Sequence, residues 1–254
     1  MRVSIITVTK NSALTIDRTV RSVLSQNDAI IEHIIKDAVS IDQTLRVAKS
    51  INPSVVVLSK SDTGIYDAMN QGYEMSSGDI VAFLNSDDCY IDENVVFDVI
   101  SALNTYDCDF VYGDIRMVSA TGIILREWKT GTIGDAGLVG RQIPHPGIFI
   151  RRRILDQLET PFDPSYRISA DLKQQLLIIN KLKFRGYYLD RPVVLMEIGG
   201  ESTNSLTSYF LGWKESIRAY NEVFGKGGFL FVVKKVLSKV NGVRLSGLLN
   251  PFGK

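Results

Sequence analysis

The stretch Asp79-Ile80-Val81-Ala82-Phe83-Leu84-Asn85-Ser86-Asp87-Asp88 decides the fold. Ile80 to Leu84 is an unbroken apolar run of strand length and reads as a buried strand. It stops abruptly at Asn85, Ser86, Asp87 and Asp88. Adjacent carboxylates at the carboxyl end of a buried strand repel each other and lose solvation. A hard divalent cation offsets that cost, because Mg²⁺ and Mn²⁺ favour oxygen ligands. Open α/β sheets bind ligands at that end of their strands. Asn, Ser and Asp are also turn residues, so a polar strand-to-loop turn is the alternative.

Working outward, Val3 to Val8 is apolar and β-branched, as in a central strand. Ser12 is an N-cap candidate for a helix with Leu14, Val20, Val23 and Leu24 on its apolar stripe. Further strands are expected at Ile30 to Ile35, Val55 to Leu58 and Phe110 to Tyr112, the last ending at Gly113-Asp114. Helices are expected at Asp42 to Ser50, Ile65 to Met75 and Asn94 to Leu103. This alternation predicts a mostly parallel sheet of βαβ units over the first 114 residues. The pattern then changes. Ile115 to Lys129 reads as a hairpin around Thr121-Gly122, and glycines cluster from Gly131 to Gly140. Ile154 to Leu158 and Ala170 to Leu182 read as helices. Tyr187 to Ile198 reads as two extended pieces broken at Asp190-Arg191-Pro192, followed by a polar turn, Gly199 to Ser205, and a helical tail.

Composition sets bounds. The 254 residues are 45% apolar, enough for a sizeable core, and the formal net charge of +1 argues against nucleic acid as a partner. Two cysteines, Cys89 and Cys108, make no disulfide framework and suit a reducing compartment. No run has the length of a membrane span or the form of a signal peptide, so the expected location is the cytoplasm.

Asp37, Asp62, Asp87, Asp88 and Asp114 all fall at or just after predicted strand ends. Each by itself reads as a loop or cap residue, but five on one edge sum to a strongly negative field unless a cation or donors balance them. Neither a Gly-x-Gly-x-x-Gly nor a Gly-x-x-x-x-Gly-Lys-Ser/Thr phosphate cradle is present. A phosphorylated ligand would then need a metal ion and basic side chains.

Four segments resemble the inverting glycosyltransferases of family 2, which have the GT-A fold. They are Ile5-Ile6-Thr7-Val8-Thr9-Lys10-Asn11, Ile34-Ile35-Lys36-Asp37 with Ser40, Asp42 and Thr44, Asp62-Thr63-Gly64-Ile65-Tyr66-Asp67-Ala68-Met69-Asn70-Gln71-Gly72, and Phe83-Leu84-Asn85-Ser86-Asp87-Asp88. The third resembles bacterial polysaccharide members, and the fourth the family's metal-binding DXD region. Weaker likeness continues through Pro144-His145-Pro146-Gly147, Ser169-Ala170-Asp171-Leu172 and Gly199-Gly200-Glu201-Ser202. The resemblance implies a GT-A domain over residues 1–205, which the change of pattern divides into a nucleotide-sugar half (1–114) and an acceptor half (115–205); the composition beyond it reads as a basic helical extension (206–254). It implies that Thr7, Thr9 and Asn11 line the nucleotide pocket and that Asp37 accepts from the base. Asp62 and Asp67 would lie by the nucleotide, Asp87 would face the ribose, and Asp88 would hold Mn²⁺ or Mg²⁺ with Asn85 nearby. Asp171 would be the catalytic base. The implied partners are a nucleotide-diphosphate sugar and a glycan or polyprenol-linked acceptor, in surface polysaccharide assembly. Ala38 and Val39 depart from the pattern, since two glycines often follow this Asp in the family. The alternatives are a sugar nucleotidyltransferase, which usually carries a Gly-rich basic loop after its first strand, and a non-catalytic binding module.

Several residues keep two readings. Asp171 opens an apolar helix, where a carboxylate also serves as a cap. His145, between two prolines, either meets the diphosphate or acceptor or holds a turn. Arg151 to Arg153 either meet phosphate or form a solvated face, and Trp128 and Trp213 either stack on sugars or fill the core. After Glu222 the chain has no acidic residue, and lysines interleave with Phe229, Leu230, Phe231 and Val232. Residues 225–254 thus read as a basic amphipathic helix, lying either on the inner face of the plasma membrane or against the domain.

Overall fold

The computed structural model describes residues 1–119, 121–197 and 206–246, with the backbone alone at 206 and 238–246. The expected Gly199–Ser205 turn and the likeness at Gly199–Ser202 lie outside the described residues. Strand β1 (Arg2–Thr9) is followed by α1 (Ile16–Leu24), β2 (Ile30–Asp37), α2 (Thr44–Ile51), β3 (Val56–Ser59), α3 (Ile65–Met75) and β4 (Ile80–Phe83). These strands lie parallel in the order β3-β2-β1-β4. Their side chains alternate between two cores. Val3, Ile5, Ile80, Ala82 and Leu84 enter one, and Ile6, Val8, Val81 and Phe83 the other. Burial on both faces is why these strands read as apolar runs. Parallel pairing also brings their carboxyl ends to one edge, with Thr9 opposite Asp37 and Asp37 opposite Ser59.

Beyond β4 the sheet is mixed. The elements are β5 (Asp88–Tyr90), α4 (Val95–Thr105), β6 (Phe110–Val118), β7 (Ile124–Trp128), β8 (Ile148–Arg151), α5 (Arg152–Leu155), α6 (Ala170–Gln175) and β9 (Gly186–Glu197). Strand β8 pairs antiparallel with β4 and β6, while β9 runs parallel to β6 and antiparallel to β5. Strands β6 and β7 form the expected hairpin. Helices α7 (Leu206–Phe224) and α8 (Gly228–Ser246) close the chain, and Ala219, Val223, Phe231 and Val232 enter the same core as Val81 and Phe83.

Four local expectations are corrected. Asp114 does not end a strand, because β6 runs on to Val118. Its carboxylate accepts from the Thr130 N–H at 2.7 Å and the Tyr188 hydroxyl at 2.8 Å, so a mid-strand acid is satisfied sideways. The two pieces around Pro192 are one strand, with Asp190 at φ 42° and a register shift beside Asp114 that accommodates the proline. The helix from Ala170 is α-helical only to Gln175, and Leu176–Lys181 winds as a π-helix. The arginine run is not simply a solvated face. Arg151 donates to the carbonyls of Cys108 and Leu103, Arg152 to that of Gly78, and Arg153 pairs with Asp109 at 2.5 Å. These contacts tie the start of the second half to the first.

Glycine matters where helix α3 crosses β1. A Cβ on Gly72 would lie 2.5 Å from Ile6 Cγ2, so the helix reaches the sheet only without one. The loop after β2 shows the opposite case. Val39 adopts φ 57°, a left-handed conformation that costs an L residue roughly 1–2 kcal/mol. That turn returns the Ser40 N–H and hydroxyl to Asp37 at 3.0 and 2.5 Å, which offsets the strain. Val39→Gly is expected to raise the melting temperature by about 2–4 °C, the equivalent of ~1 kcal/mol in a chain of this size. Calorimetry checks this, and an unchanged or lower midpoint contradicts it.

Candidate active site

The carboxylates at the sheet edge are balanced in different ways. Asp37 is fully buried and accepts from Ser40 twice and from the Ser59 hydroxyl at 2.6 Å. Asp62 is matched by a residue with no sequence signal of this role, Lys36, whose side chain is wholly buried. The Lys36 ammonium reaches Asp62 Oδ2 at 2.6 Å and the carbonyls of Lys60 and Asp37 at 2.8 and 3.3 Å, which uses all three of its protons. Asp67 accepts from Thr63 and Gln71 in the opening turn of α3. The Thr63 N–H leads in holding its carboxyl below the usual range.

Asp88 has no such match. It is 1% exposed, and its Oδ2 accepts from Asn85 Nδ2 at 3.2 Å. Asp88 Oδ1 and Asn85 Oδ1 are both buried with no hydrogen-bond partner among the described residues. Burial, with the charge of Asp87 adding to it, pushes the Asp88 carboxyl well above the usual carboxylate range. Burial raises Asp87 as well. Two orphaned hard oxygens side by side fit a Mg²⁺ or Mn²⁺ ion, which would complete its shell from outside the protein. Among the described residues no group of three or more His, Cys, Asp or Glu is placed to hold a metal unaided.

A cleft of about 340 Å³ opens beside this pair, lined by Asn11, Ser12, Leu14, Thr15, Ser86, Asp87 and Glu197. Arg18 of α1 braces its wall, donating to the Asp87 carbonyl at 2.7 Å and to the Glu197 carboxylate. Asn11 adopts φ 50° and its Oδ1 accepts from the Ile41 N–H, joining the two loops at the cleft mouth. Thr9 stands at the strand end with its buried hydroxyl unpartnered among the described residues. Thr7 is placed otherwise. It is fully buried, with its hydroxyl 3.0 Å from His33 Nε2, and presents no surface to the cleft.

Asp171 belongs to a second cluster. Its Oδ1 accepts from the Leu172 N–H at 2.8 Å and lies 3.2 Å from the Tyr66 hydroxyl, whose one proton is shared with the nearer Ile168 carbonyl at 2.6 Å, and its Oδ2 accepts from Gln142 Nε2 at 2.5 Å. A carboxylate offers about four acceptor positions, so room is left for an incoming donor. Burial, and then the charge of Asp171, push the Tyr66 phenol far up, so it stays protonated and donating. The clusters meet through aromatic rings. Phe83, two residues before Asn85, packs on His145 and Phe162 with centroids 5.4 and 4.9 Å apart, and Phe162 stacks on Tyr66 at 5.5 Å. His145 opens the 3₁₀ segment His145–Gly147. Both its ring nitrogens are shielded and unpartnered among the described residues, and burial keeps its pKa low despite the opposing pull of Asp171.

The segment leading to Asp171 is held from far along the chain. Glu215 of α7 is 6% exposed and accepts the N–H groups of Arg167, Ile168 and Ser169 at 2.9, 2.8 and 2.9 Å. No local pattern marks Glu215, because its partners lie more than forty residues away.

Comparison with known proteins follows this geometry. Residues 4–162 match the model of "Glycosyl transferase family 2". The chain belongs to that family. Membership makes it a transferase, and the fold is GT-A. A PGL/p-HBAD biosynthesis glycosyltransferase of Mycobacterium tuberculosis is 30% identical over 173 residues, covering 66% of this chain and 66% of that protein, just under two thirds of its length. The S. aureus TarS fragment 1–349, solved with UDP-GlcNAc, has a TM-score of 0.66 at 17% identity, covering 93% of this chain and 72% of that one. The mannosyltransferase PcManGT of Pyrobaculum calidifontis, solved with GDP-Man and Mn²⁺, has a TM-score of 0.64 at 12% identity, covering 98% of this chain and 76% of that one.

In this family member the raised pKa of Asp88 has a measurable sign. An unfolded Asp titrates near ~3.9. The folded group titrates higher, so folding takes up a proton above that pH, and metal-free stability falls as pH rises through this window. Asp88→Asn is expected to raise the metal-free melting temperature at pH 7 by a few degrees while removing any shift induced by Mn²⁺. A lower midpoint, or a retained Mn²⁺ shift, contradicts the assignment.

Proposed function

We propose that the protein is an inverting glycosyltransferase, moving a sugar from a nucleotide-diphosphate sugar to a hydroxyl of a glycan or polyprenol-linked acceptor. The observation that carries this is the pair of orphaned buried oxygens, Asn85 Oδ1 and Asp88 Oδ1, at the edge of the nucleotide-side sheet. The cleft beside them accepts the donor, with Asn11, Thr9 and Asp37 on the side of the base and Asp87 toward the ribose. Asp88, with Asn85, would hold Mg²⁺ or Mn²⁺, which supplies positive charge for the leaving diphosphate. Asp171 takes the proton of the acceptor hydroxyl. The acceptor oxygen bonds to the anomeric carbon as the bond to the diphosphate oxygen breaks, and the electron pair departs with the nucleoside diphosphate. A single displacement inverts the centre and needs no covalent nucleophile, unlike hydrolysis by a retaining carboxylate pair. Burial keeps His145 neutral, with both ring nitrogens unpartnered among the described residues.

A thermal-shift panel of UDP-, GDP- and dTDP-sugars tests the donor site, since a ligand that binds only the folded state stabilises it by mass action. One nucleotide class is expected to raise the midpoint, more so with Mn²⁺. Asp171→Asn is expected to keep that shift and to lose transfer by ~10²–10⁴-fold, the usual worth of a general base. Absence of any metal-dependent shift across the panel sinks the donor reading, and wild-type transfer in Asp171→Asn sinks the base.

The acceptor side includes a membrane surface in this proposal. Among the described residues no helix is long and apolar enough to cross a membrane. Helix α8 nevertheless presents Phe229, Leu230 and Leu237, at 72%, 58% and 57% exposure, beside the exposed Lys234. Apolar anchors next to basic groups suit an anionic bilayer. Removing the helix would strip Phe231 and Val232 from the core, so point changes are the cleaner probe. Flotation with phosphatidylglycerol vesicles is expected for the intact protein and is expected to be lost in Phe229→Asp/Leu230→Asp. Equal flotation of the two proteins removes α8 from the acceptor side.

A further inference from the structure

Helix α6 carries Asp171 and Gln175 one turn apart, and both grip the same short segment. Gln175 is fully buried, donates to the Ile143 carbonyl at 2.9 Å and accepts the Ile143 N–H at 3.0 Å. That reciprocal pair fixes the backbone beside Gln142. The Gln142 side chain then donates Nε2 to Asp171 Oδ2 at 2.5 Å and accepts on Oε1 from Lys235 Nζ at 2.7 Å. Lys235 lies on α8, ninety-three residues away. The helix is seated closely at this point. Gly140 has φ 63°, and a Cβ there would lie 2.5 Å from the Cβ of Lys234.

A glutamine amide has a donor end and an acceptor end of nearly equal shape. Only the donor end serves Asp171. The reversed amide would aim an oxygen at the carboxylate. An ammonium on the far side accepts just one orientation, because Lys has three donors and no acceptor.

We propose that Gln142 is a positioning residue for the Asp171 carboxylate, and that Lys235 of α8 sets the polarity of its amide. The inference rests on the reading of Asp171 as the base. Gln142 holds Oδ2 while the Leu172 N–H holds Oδ1, so the carboxylate plane is fixed and the acceptor positions left to it have set directions. Lys235 acts on the reaction only through Gln142.

The test uses the full-length protein and the nucleotide sugar selected by the thermal-shift panel, with nucleoside diphosphate release to water as the readout and Asp171→Asn as reference. Gln142→Glu keeps the shape and removes the donor, and Gln142→Ala removes both. Each is expected to lower kcat by ~10–100-fold, the scale of a small misplacement of a catalytic group, with donor KM within about twofold. Lys235→Met is expected to lower kcat by ~3–10-fold and Lys235→Arg to restore it. The double variant Gln142→Ala/Lys235→Met is expected to be no slower than Gln142→Ala alone, as for two residues acting in series. A role in packing alone predicts near-wild-type kcat in Gln142→Glu, and independent roles predict multiplied losses in the double variant. Either result overturns the proposal while Asp171→Asn remains inactive. Wild-type turnover in Asp171→Asn overturns the base assignment and this inference together.

Discussion

Charge buried at the edge of the parallel sheet is the constraint on which this molecule is organised. An uncompensated buried ion costs several kcal/mol, a large part of the 5–15 kcal/mol that holds a typical domain together. Most of the acids are therefore answered from within. Lys36 answers Asp62, and three donors answer Asp37. Asp88 alone keeps a buried carboxylate oxygen with nothing opposite it among the described residues. A fold can carry one such debt where a bound ion will settle it. The same position loaded with two or three would not stay folded without its ligand.

The two candidate clusters are built on different length scales. The one around Asp88 comes from strand ends and the loops that follow them, so consecutive segments of chain supply it. The one around Asp171 is assembled from Tyr66, Gln142, Asp171 and Glu215, which lie on four separate stretches of the sequence. A shared aromatic core, Phe83, Phe162, Tyr66 and the ring of His145, sets their relative position.

That difference explains what could be read from the chain. Buried parallel strands are apolar runs with polar ends, so β1, β2 and β4 and the acids that follow β2 and β4 are visible as a pattern. Where a polar group meets a distant partner, the pattern fell silent or misled. Thr7 looks like a pocket residue until His33 is found beside it. Lys36 carries no sign of burial in the sequence, and Asp62 with two carbonyls makes that burial tolerable. Pro192 looks like a strand break until the register shift next to Asp114 accommodates it. Glu215, Gln142 and Lys235 carry no local signature at all, because what they do depends on residues 29 to 93 positions away.

The grip of Glu215 on residues 167–169 has a consequence for the order in which the molecule matures. A ribosome makes the nucleotide-side strands first, and N-terminal units fold as they emerge. The N–H groups ahead of Asp171 stay unanswered until α7 leaves the ribosome behind them. On the proposed reading of Asp171 as the base, a growing chain would therefore order the first-half residues of the donor cleft before the segment that carries the base has a fixed place.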